Sequence, residues 1–293
     1  MRTFTLTAIT VLLSSAGPVL ADSSAPVLAR VVALQTPAWI EHDGQREALR
    51  PGAAVRGGDR LETGSSGRVQ IDLEDASAIQ LGAQSLLDLR SLEITDNGSP
   101  TGLLNGGLSL TQGTLRFSGD PMRQRDIGLT LGDGTGLRLR DTDLWATAGP
   151  RDQVCLVQGS VEVTAGDAPA QTLDSAQPCL TAGNNAAQPA PISDTAFSRA
   201  LAQTDLDGTQ PALRAGGRFR VVLASVGTQA QAEREIARLS GLGYPLEALP
   251  QGTTGQTRYR LVIGGLNSHA DATRYVQVLK QHLGVTAWVL VPG

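Results

Sequence analysis

Residues 219–292 switch twice between the apolar spacing of strands and that of helices. FRVVLASV at the start, GYPLEALP and TGQTRYRLVIGGL in the middle, and VTAWVLV at the end are predicted strands. Apolar residues recur at helical spacing over residues 229–242 and 268–283, and Gly243 and Gly284 follow as stop signals. The order β-α-β-β-α-β predicts an α+β domain, residues 218–293, whose two helices cover one face of a four-stranded sheet. The other face is then free to bind a ligand.

Residues 29–183 alternate between apolar and polar positions in many short runs. RVQIDL, AIQLG, LLDLRSLEI and QVCLVQGSVEV are examples, and turn residues separate them. No stripe of apolar residues at helical spacing interrupts the region. The pattern predicts an all-β domain, built as a sandwich, a roll or a short solenoid.

Residues 184–217 have the composition of a linker, rich in Ala, Gln, Pro, Gly and Thr. Asp194 can cap a short helix that runs to Gln203, with Phe197 and Leu201 on one side. We therefore predict a tether with a small docking helix, and the chain as a whole is predicted to have several domains.

The first 21 residues, MRTFTLTAITVLLSSAGPVLA, have the pattern of a secretory signal. Arg2 supplies a positive charge, a short apolar stretch follows, and Val19, Leu20 and Ala21 end it with a cleavage site. An uncleaved anchor is the alternative, although the apolar stretch is short for a membrane span. No other segment is apolar enough to cross a membrane, so we expect a periplasmic protein without a membrane span in its mature form.

The predicted export affects the expected oxidation state of the two cysteines, Cys155 and Cys179. An even number of cysteines in an oxidising compartment favours one disulfide, and two free buried thiols are the alternative. Two thiols without a nearby histidine are too few ligands for a metal site.

Charge is divided unevenly along the chain. The whole sequence has 24 basic and 28 acidic residues, a net charge of −4. From residue 216 onward there are eight basic and four acidic residues, so this end carries +4 and the remainder −8. The basic end favours a polyanion or a sugar polymer as ligand, and nucleic acid is not expected. An arginine-rich helix exterior explains Arg234, Arg238 and Arg274 equally well, but not the arginines in strands.

The β-rich region resembles the FecR-type domain. The resemblance rests on AAVRGGDRLETGSSGRVQIDLEDASAIQLGAQSLLDL and on the later runs LNGGLSLTQGTLRF, GLRLRDTDLWA and VCLVQGSVEV, and it covers residues 31–183. Arg140-Asp141-Thr142 departs from the Arg-Gly-Thr of that family. The resemblance implies a periplasmic all-β roll or sandwich. The cytoplasmic anti-sigma segment and membrane helix that precede the best-known FecR domains have no counterpart here, so direct sigma-factor control is not expected.

The C-terminal segment resembles the SPOR domain, a sporulation-related repeat of bacterial envelope proteins. FRVVLASV, GLGYP, TGQTRYRLVIGGLNSHADA and the closing VTAWVLV are similar to the family pattern, and the resemblance covers residues 219–292. It implies a peptidoglycan-binding module that prefers glycan strands stripped of their stem peptides. Val222 and Val226 depart from the family, which often has glutamine and an aromatic residue at these positions.

Strand alternation places a set of side chains on the open face of this predicted sheet. Arg220, Val222 and Ala224 are expected to share it in the first strand, and Arg258, Arg260 and Val262 in the third. Ser225 matches a serine that the SPOR family places near its ligand groove. The predicted glycan-binding residues are Arg220, Val222, Ser225, Arg258, Arg260 and Val289. Arginine suits a carboxylate-bearing glycan because its donors form a fixed fork. The alternative is a plain soluble surface, docked on the β-rich region.

No catalytic constellation is evident in the sequence, so we expect no enzyme, cofactor or metal site. His42 lies beside Asp43 in a turn and is expected at the surface. Glu74 and Asp75 are adjacent turn acids, which are more often solvated than arranged for glycoside hydrolysis. Trp39, Trp145 and Trp288 are expected in the core.

The leading hypothesis is an exported envelope protein that binds denuded glycan strands at the division site and presents its FecR-like domain to a protein partner. The alternative is a periplasmic regulatory protein whose FecR-like domain binds a membrane partner, with the SPOR domain acting only as a dock. A wall hydrolase, or an activator of one, is a third class.

Overall fold

The computed structural model describes residues 27–99, 101–132, 134–166, 168–176, 178–183, 186–252 and 257–290. The predicted signal sequence, residues 1–21, lies outside the described residues. Within the described part of the chain, none of the helices has the length and the apolar character needed to cross a membrane.

A β-rich body is followed by a smaller α+β domain, which confirms the general pattern of the prediction. The elements in chain order are β1 Ala29–Gln35, β2 Ala38–His42, β3 Gln45–Ala48, β4 Ala54–Val55, β5 Arg60–Thr63, β6 Arg68–Leu73, β7 Ala78–Leu81, β8 Leu86–Thr95, β9 Leu103–Ser118, β10 Arg125–Leu131, β11 Thr135–Leu139, β12 Thr142–Ala148, β13 Asp152–Gly159, β14 Val161–Ala165, β15 Gln171–Leu173, β16 Cys179–Gly183, β17 Ala186–Pro189, α1 Asp194–Leu201, β18 Leu213–Arg214, β19 Phe219–Val226, α2 Gln229–Gly241, β20 Glu247–Gln251, β21 Arg258–Leu266, α3 His269–Leu283 and β22 Trp288–Leu290.

The β body has two parts that share the long strand β9. The first half of β9 pairs with β8 and, in parallel, with β10. Its second half pairs with β7 and β12. Along most strands buried and exposed residues alternate, as in β10, where every second residue is buried. The apolar residues of the strands on both halves of β9 meet in one core.

A disulfide between Cys155 and Cys179 confirms the predicted pairing of the cysteines. The two residues stand directly opposite each other in the β13–β16 pair. They form a small separate core with Trp145 and Ala200, against which Phe197 packs. Helix α1 is thereby fixed to the outside of the β body, because its apolar side covers the disulfide.

Residues 186–217 do not form the expected tether. Strand β17 pairs with β16, and β18 pairs with β1 at the edge of the β body. The Gln35 side chain donates hydrogen bonds to the carbonyls of Asp207 and Gln210, at 2.8 and 2.9 Å. The linker-like composition was misleading, because the edge strands of the β body supply the backbone partners that the segment cannot supply for itself.

The C-terminal domain has the predicted β-α-β-β-α-β order. Its four strands form an antiparallel sheet in the order β20-β21-β19-β22, and α2 and α3 pack on one face. Thr228 and Ser268 cap the two helices, each accepting a hydrogen bond from the third residue along. Gly243 and Gly284 follow the helices with φ values of 80° and 65°, the left-handed region in which glycine is preferred.

The C-terminal domain is docked on the β body through its helical side. The Trp39 indole N–H donates to the Ser240 carbonyl at 3.1 Å, and the Ser240 hydroxyl accepts from the Ala48 N–H at 2.8 Å. The buried Tyr275 hydroxyl hydrogen-bonds the Thr36 hydroxyl at 3.1 Å, and burial raises the pKa of Tyr275. Apolar residues of both domains form one continuous core. The helical layer therefore lies beside the β body, and most of the opposite face of the four-stranded sheet does not.

Candidate functional site

Strand β21 shows which face of the C-terminal sheet is open. Leu261 and Ile263 belong to the core that the helices cover, and Tyr259 packs against it. Arg258, Arg260, Val262 and Gly264 alternate with these residues and therefore lie on the other face. We call this second face, together with the residues paired opposite it, the outer face.

Two register irregularities in β19 decide which of its residues reach the outer face. They fall between Phe219 and Val221 and between Val222 and Ala224. After the second, Ser225 stands opposite Arg260, whereas Ala224 stands opposite the core residue Leu261. The expectation that Ala224 shares the outer face with Arg220 and Val222 is therefore wrong, because a bulge shifts the alternation by one residue.

The last strand also differs from the expectation. Val289 pairs with the core residue Val221 and packs against the core, so it does not lie on the outer face. Trp288 stands opposite Val222 instead and is 49% exposed. The prediction that Val289 lies on the open face and the prediction that Trp288 lies in the core are therefore wrong. The run VTAWVLV has no alternation of polar and apolar residues that would fix which side faces the helices.

Val222 and Val262 form an apolar floor on the outer face. They stand opposite each other and are fully buried, although neither belongs to the core that the helices cover. Glu247 stands on one side of this pair and Trp288 on the other. Val222 therefore lies on the predicted face, but it supports the surrounding side chains and is not itself exposed to a ligand.

Arg220 crosses the outer face above Gly264. A Cβ atom at position 264 would lie 3.5 Å from the Arg220 Cγ and 3.5 Å from the Glu247 Oε1. The Arg220 Nε is 3.8 Å from the same carboxylate oxygen, which is an ion pair without a close hydrogen bond. The arginine stem therefore lies over Gly264, at a distance at which an added Cβ atom would make ordinary van der Waals contact.

Arg258 and Arg260 follow further along the same face. Arg258 is exposed, Arg260 is half-buried, and the exposed Ser225 stands opposite Arg260. Within the described residues neither guanidinium forms an ion pair. The outer face therefore offers free guanidinium donors, a hydroxyl and a half-exposed indole around a closed apolar floor.

Comparison with known proteins identifies the C-terminal part. Residues 215–290 match the family description "SPOR domain". This part of the chain is a SPOR domain. A SPOR domain implies peptidoglycan binding.

Two crystal structures of a candidate anti-sigma factor from Parabacteroides distasonis ATCC 8503 are similar to the chain at 11% sequence identity and a TM-score of 0.39. The first covers 78% of this chain and 98% of its own, and the second 77% and 91%. No curated protein matches the chain.

Outside the SPOR domain, the two turn acids Glu74 and Asp75 differ, because Glu74 is exposed as expected and Asp75 is held in a structural contact. Asp75 is buried and not solvated as expected, because its carboxylate pairs with the buried Arg125 at 2.6 Å. His42 lies at the surface, and its Nδ1 is 2.5 Å from the buried Asp59 carboxylate. That hydrogen bond, the Asp59 charge and the nearby Asp43 raise the pKa of His42. Among the described residues no group of three or more His, Cys, Asp or Glu side chains is arranged to hold a metal ion.

Proposed function

We propose that the protein is an exported envelope protein that binds denuded glycan strands of peptidoglycan through the outer face of its SPOR domain. The observation that supports this most directly is a pair of arginines, Arg258 and Arg260, that have no carboxylate partner among the described residues and lie on a sheet face that the helices leave open. Ser225 and Trp288 lie on the same face.

The chemistry of a denuded glycan suits these groups. Loss of the stem peptides leaves lactyl carboxylates, which pair with guanidinium donors, and hydroxyl and acetamido groups, which hydrogen-bond to a hydroxyl such as that of Ser225. Trp288 presents a large apolar surface on which the less polar face of a sugar ring can pack. The fixed geometry of the floor reduces the cost of ordering the surface when the ligand binds.

We further propose a periplasmic location after removal of the signal sequence, with recruitment to the division site, where denuded glycan is exposed. The disulfide between Cys155 and Cys179 is in keeping with an oxidising compartment. In this proposal the β body presents a surface to a protein partner, and the protein acts as a binding module without catalysis or cofactor.

The test is a pelleting assay with the purified protein. It would be mixed with intact sacculi and with sacculi treated with an amidase that removes the stem peptides. We expect stronger binding to the treated sacculi, and roughly tenfold weaker binding by the Arg258→Ala/Arg260→Ala variant, because each arginine supplies charge-assisted hydrogen bonds.

A variant with the same change of charge on the helical side is the matched control. Arg234→Ala/Arg274→Ala removes two arginines from α2 and α3, and its binding should stay within about twofold of wild type because exposed helix arginines contribute little. Equal losses in both double variants would mean that only net charge matters. No binding of wild-type protein to either sacculus preparation would overturn the proposal and favour the regulatory alternative.

A further inference from the structure

A cleft of about 200 Å³ lies where the outer face of the SPOR domain meets the β body. It is at the Gly264 end of β21, beyond the point where Arg220 crosses the sheet. Its charged lining comes from both domains. The β body supplies Arg50 and Arg214, and the SPOR domain supplies Arg220 and Glu247.

Backbone contacts fix Arg214 at this position. Arg214 lies in β18, opposite Ala33 of β1, and the next residue, Ala215, donates its N–H to the Val32 carbonyl at 2.9 Å. The Arg214 carbonyl accepts from the Gly217 N–H at 3.1 Å, just before β19 begins. The connection between the β body and the sheet is therefore short and hydrogen-bonded.

Arg50 reaches the cleft from the opposite side. Its guanidinium donates to the Leu246 carbonyl at 2.8 Å, immediately before β20. Close packing at Gly265 holds the two domains together here, since a Cβ atom at that position would lie 2.9 Å from the Pro51 Cγ and 3.2 Å from the Arg214 carbonyl oxygen. Gly265 also has a φ of 93°, which favours glycine.

The cleft carries an excess of positive charge. Glu247 stands between two of the arginines, 3.8 Å from Arg220 and 4.0 Å from Arg50, and it makes no close hydrogen bond to either. Arg214 is exposed and forms no ion pair within the described part of the chain. Three guanidinium groups and one carboxylate therefore line the cleft, and only two of the guanidinium groups lie close to that carboxylate.

We propose that this cleft is a carboxylate-binding subsite at the end of the glycan-binding face, and that the β body thereby takes part in binding the glycan. The inference rests on the proposed function. It is favoured by continuity, because Arg258 and Arg260 of β21 and Arg220 of β19 lie on the same outer face, and Arg220 and Gly264 also line the cleft. A carboxylate-bearing glycan that follows this face to its end would meet Arg220, Arg214 and Arg50 in the lining of the cleft.

The test compares variants of the full-length protein on two preparations of amidase-treated sacculi. In one preparation the carboxylates are intact, and in the other they have been reduced chemically to alcohols. The key variant is Arg214→Gln, since the contacts of Arg214 with the SPOR domain are made by its backbone. Arg50→Gln/Arg214→Gln is the stronger perturbation, and thermal unfolding of each variant shows whether the docking of the domains is kept.

We expect Arg214→Gln to bind the carboxylate-bearing glycan about threefold to fivefold more weakly than wild type, and the double variant about tenfold more weakly. On the reduced glycan the two variants and wild type should bind alike. Normal binding by both variants, with the Arg258→Ala/Arg260→Ala loss still present, would overturn the subsite and leave the proposed function standing. An equal loss on both glycans would also overturn it, because no carboxylate would then be involved. Failure of wild type to bind either glycan would overturn the proposed function and the subsite together.

Discussion

Replacing Asp75 by Asn should destabilise the β body strongly, because it removes one partner of a buried ion pair. Arg125 is fully buried, and its guanidinium donates to the Asp75 carboxylate at 2.6 Å, to the Arg140 carbonyl at 2.7 Å and to the Asp120 carbonyl at 2.6 Å. The carboxylate also accepts hydrogen bonds from the Ser77 N–H and hydroxyl. The substitution therefore leaves a buried positive charge that is held by neutral groups alone.

The expected cost is about 3 kcal/mol of the free energy of unfolding, at the lower end of what breaking a buried ion pair costs. One strong charge-assisted hydrogen bond accounts for about 2 kcal/mol of it, and the uncompensated charge for the remainder. In a domain of this size the melting temperature should fall by roughly 6–12 °C. The assay is urea unfolding followed by circular dichroism, in which the midpoint should fall while the slope stays unchanged.

Two further variants test whether the loss of stability comes from the buried ion pair. Asp75→Asn/Arg125→Met removes both charges and should recover part of the loss, because a methionine fills much of the same space without a charge. Glu62→Gln breaks the half-exposed pair with Arg46, which has a hydrogen bond of 2.7 Å but lies at the surface, and should cost at most about 1 kcal/mol. A loss below about 1 kcal/mol for Asp75→Asn, or a double variant less stable than the single one, would refute the reasoning.

Three other outcomes are expected. Trp288→Ala should weaken binding to amidase-treated sacculi several-fold in the pelleting assay without lowering thermal stability, because the indole is half-exposed. Cys155→Ser/Cys179→Ser should lower the free energy of unfolding by about 3 kcal/mol in urea titration, since the disulfide closes a loop with a sequence separation of 24. His42→Gln should lower stability below about pH 6.5, the ordinary pKa of histidine, and progressively less as pH rises through the higher pKa of folded His42. A pH-independent difference in melting temperature would contradict this last prediction.

Much of the fold follows from local patterns in the sequence. The apolar residues of α2 and α3 recur at regular helical spacing. Helical spacing places them on one side of each helix, and the buried residues include Ala232, Leu239, Ala272 and Leu279. Glycine then ends both helices. Residues 186–217 are different, since their strands exist only because β16 and β1 offer unpaired edges. Such a dependence on distant partners leaves no signal in the local composition.

The residues of the candidate site also differ in whether the sequence alone could place them. Arg258 and Arg260 could be placed from alternation alone, because β21 pairs without interruption over these residues. Arg50 and Arg214 could not, since they are separated in sequence and reach the cleft only through the docking of the two domains. Asp75 resembles any turn acid until its buried partner, 50 residues further along, is known.

The bulge in β19 has the largest effect on what the outer face presents. Without it, Ala224 would continue the alternation from Val222, and Ser225 would point toward the helices. With it, the serine hydroxyl stands opposite Arg260 and Ala224 joins the core beside Leu261. A single extra residue therefore exchanges a methyl group for a hydroxyl next to the arginine. Because a one-residue slip reverses the side of every later residue in a strand, the ligand surface of such a sheet depends on its irregularities as much as on its composition.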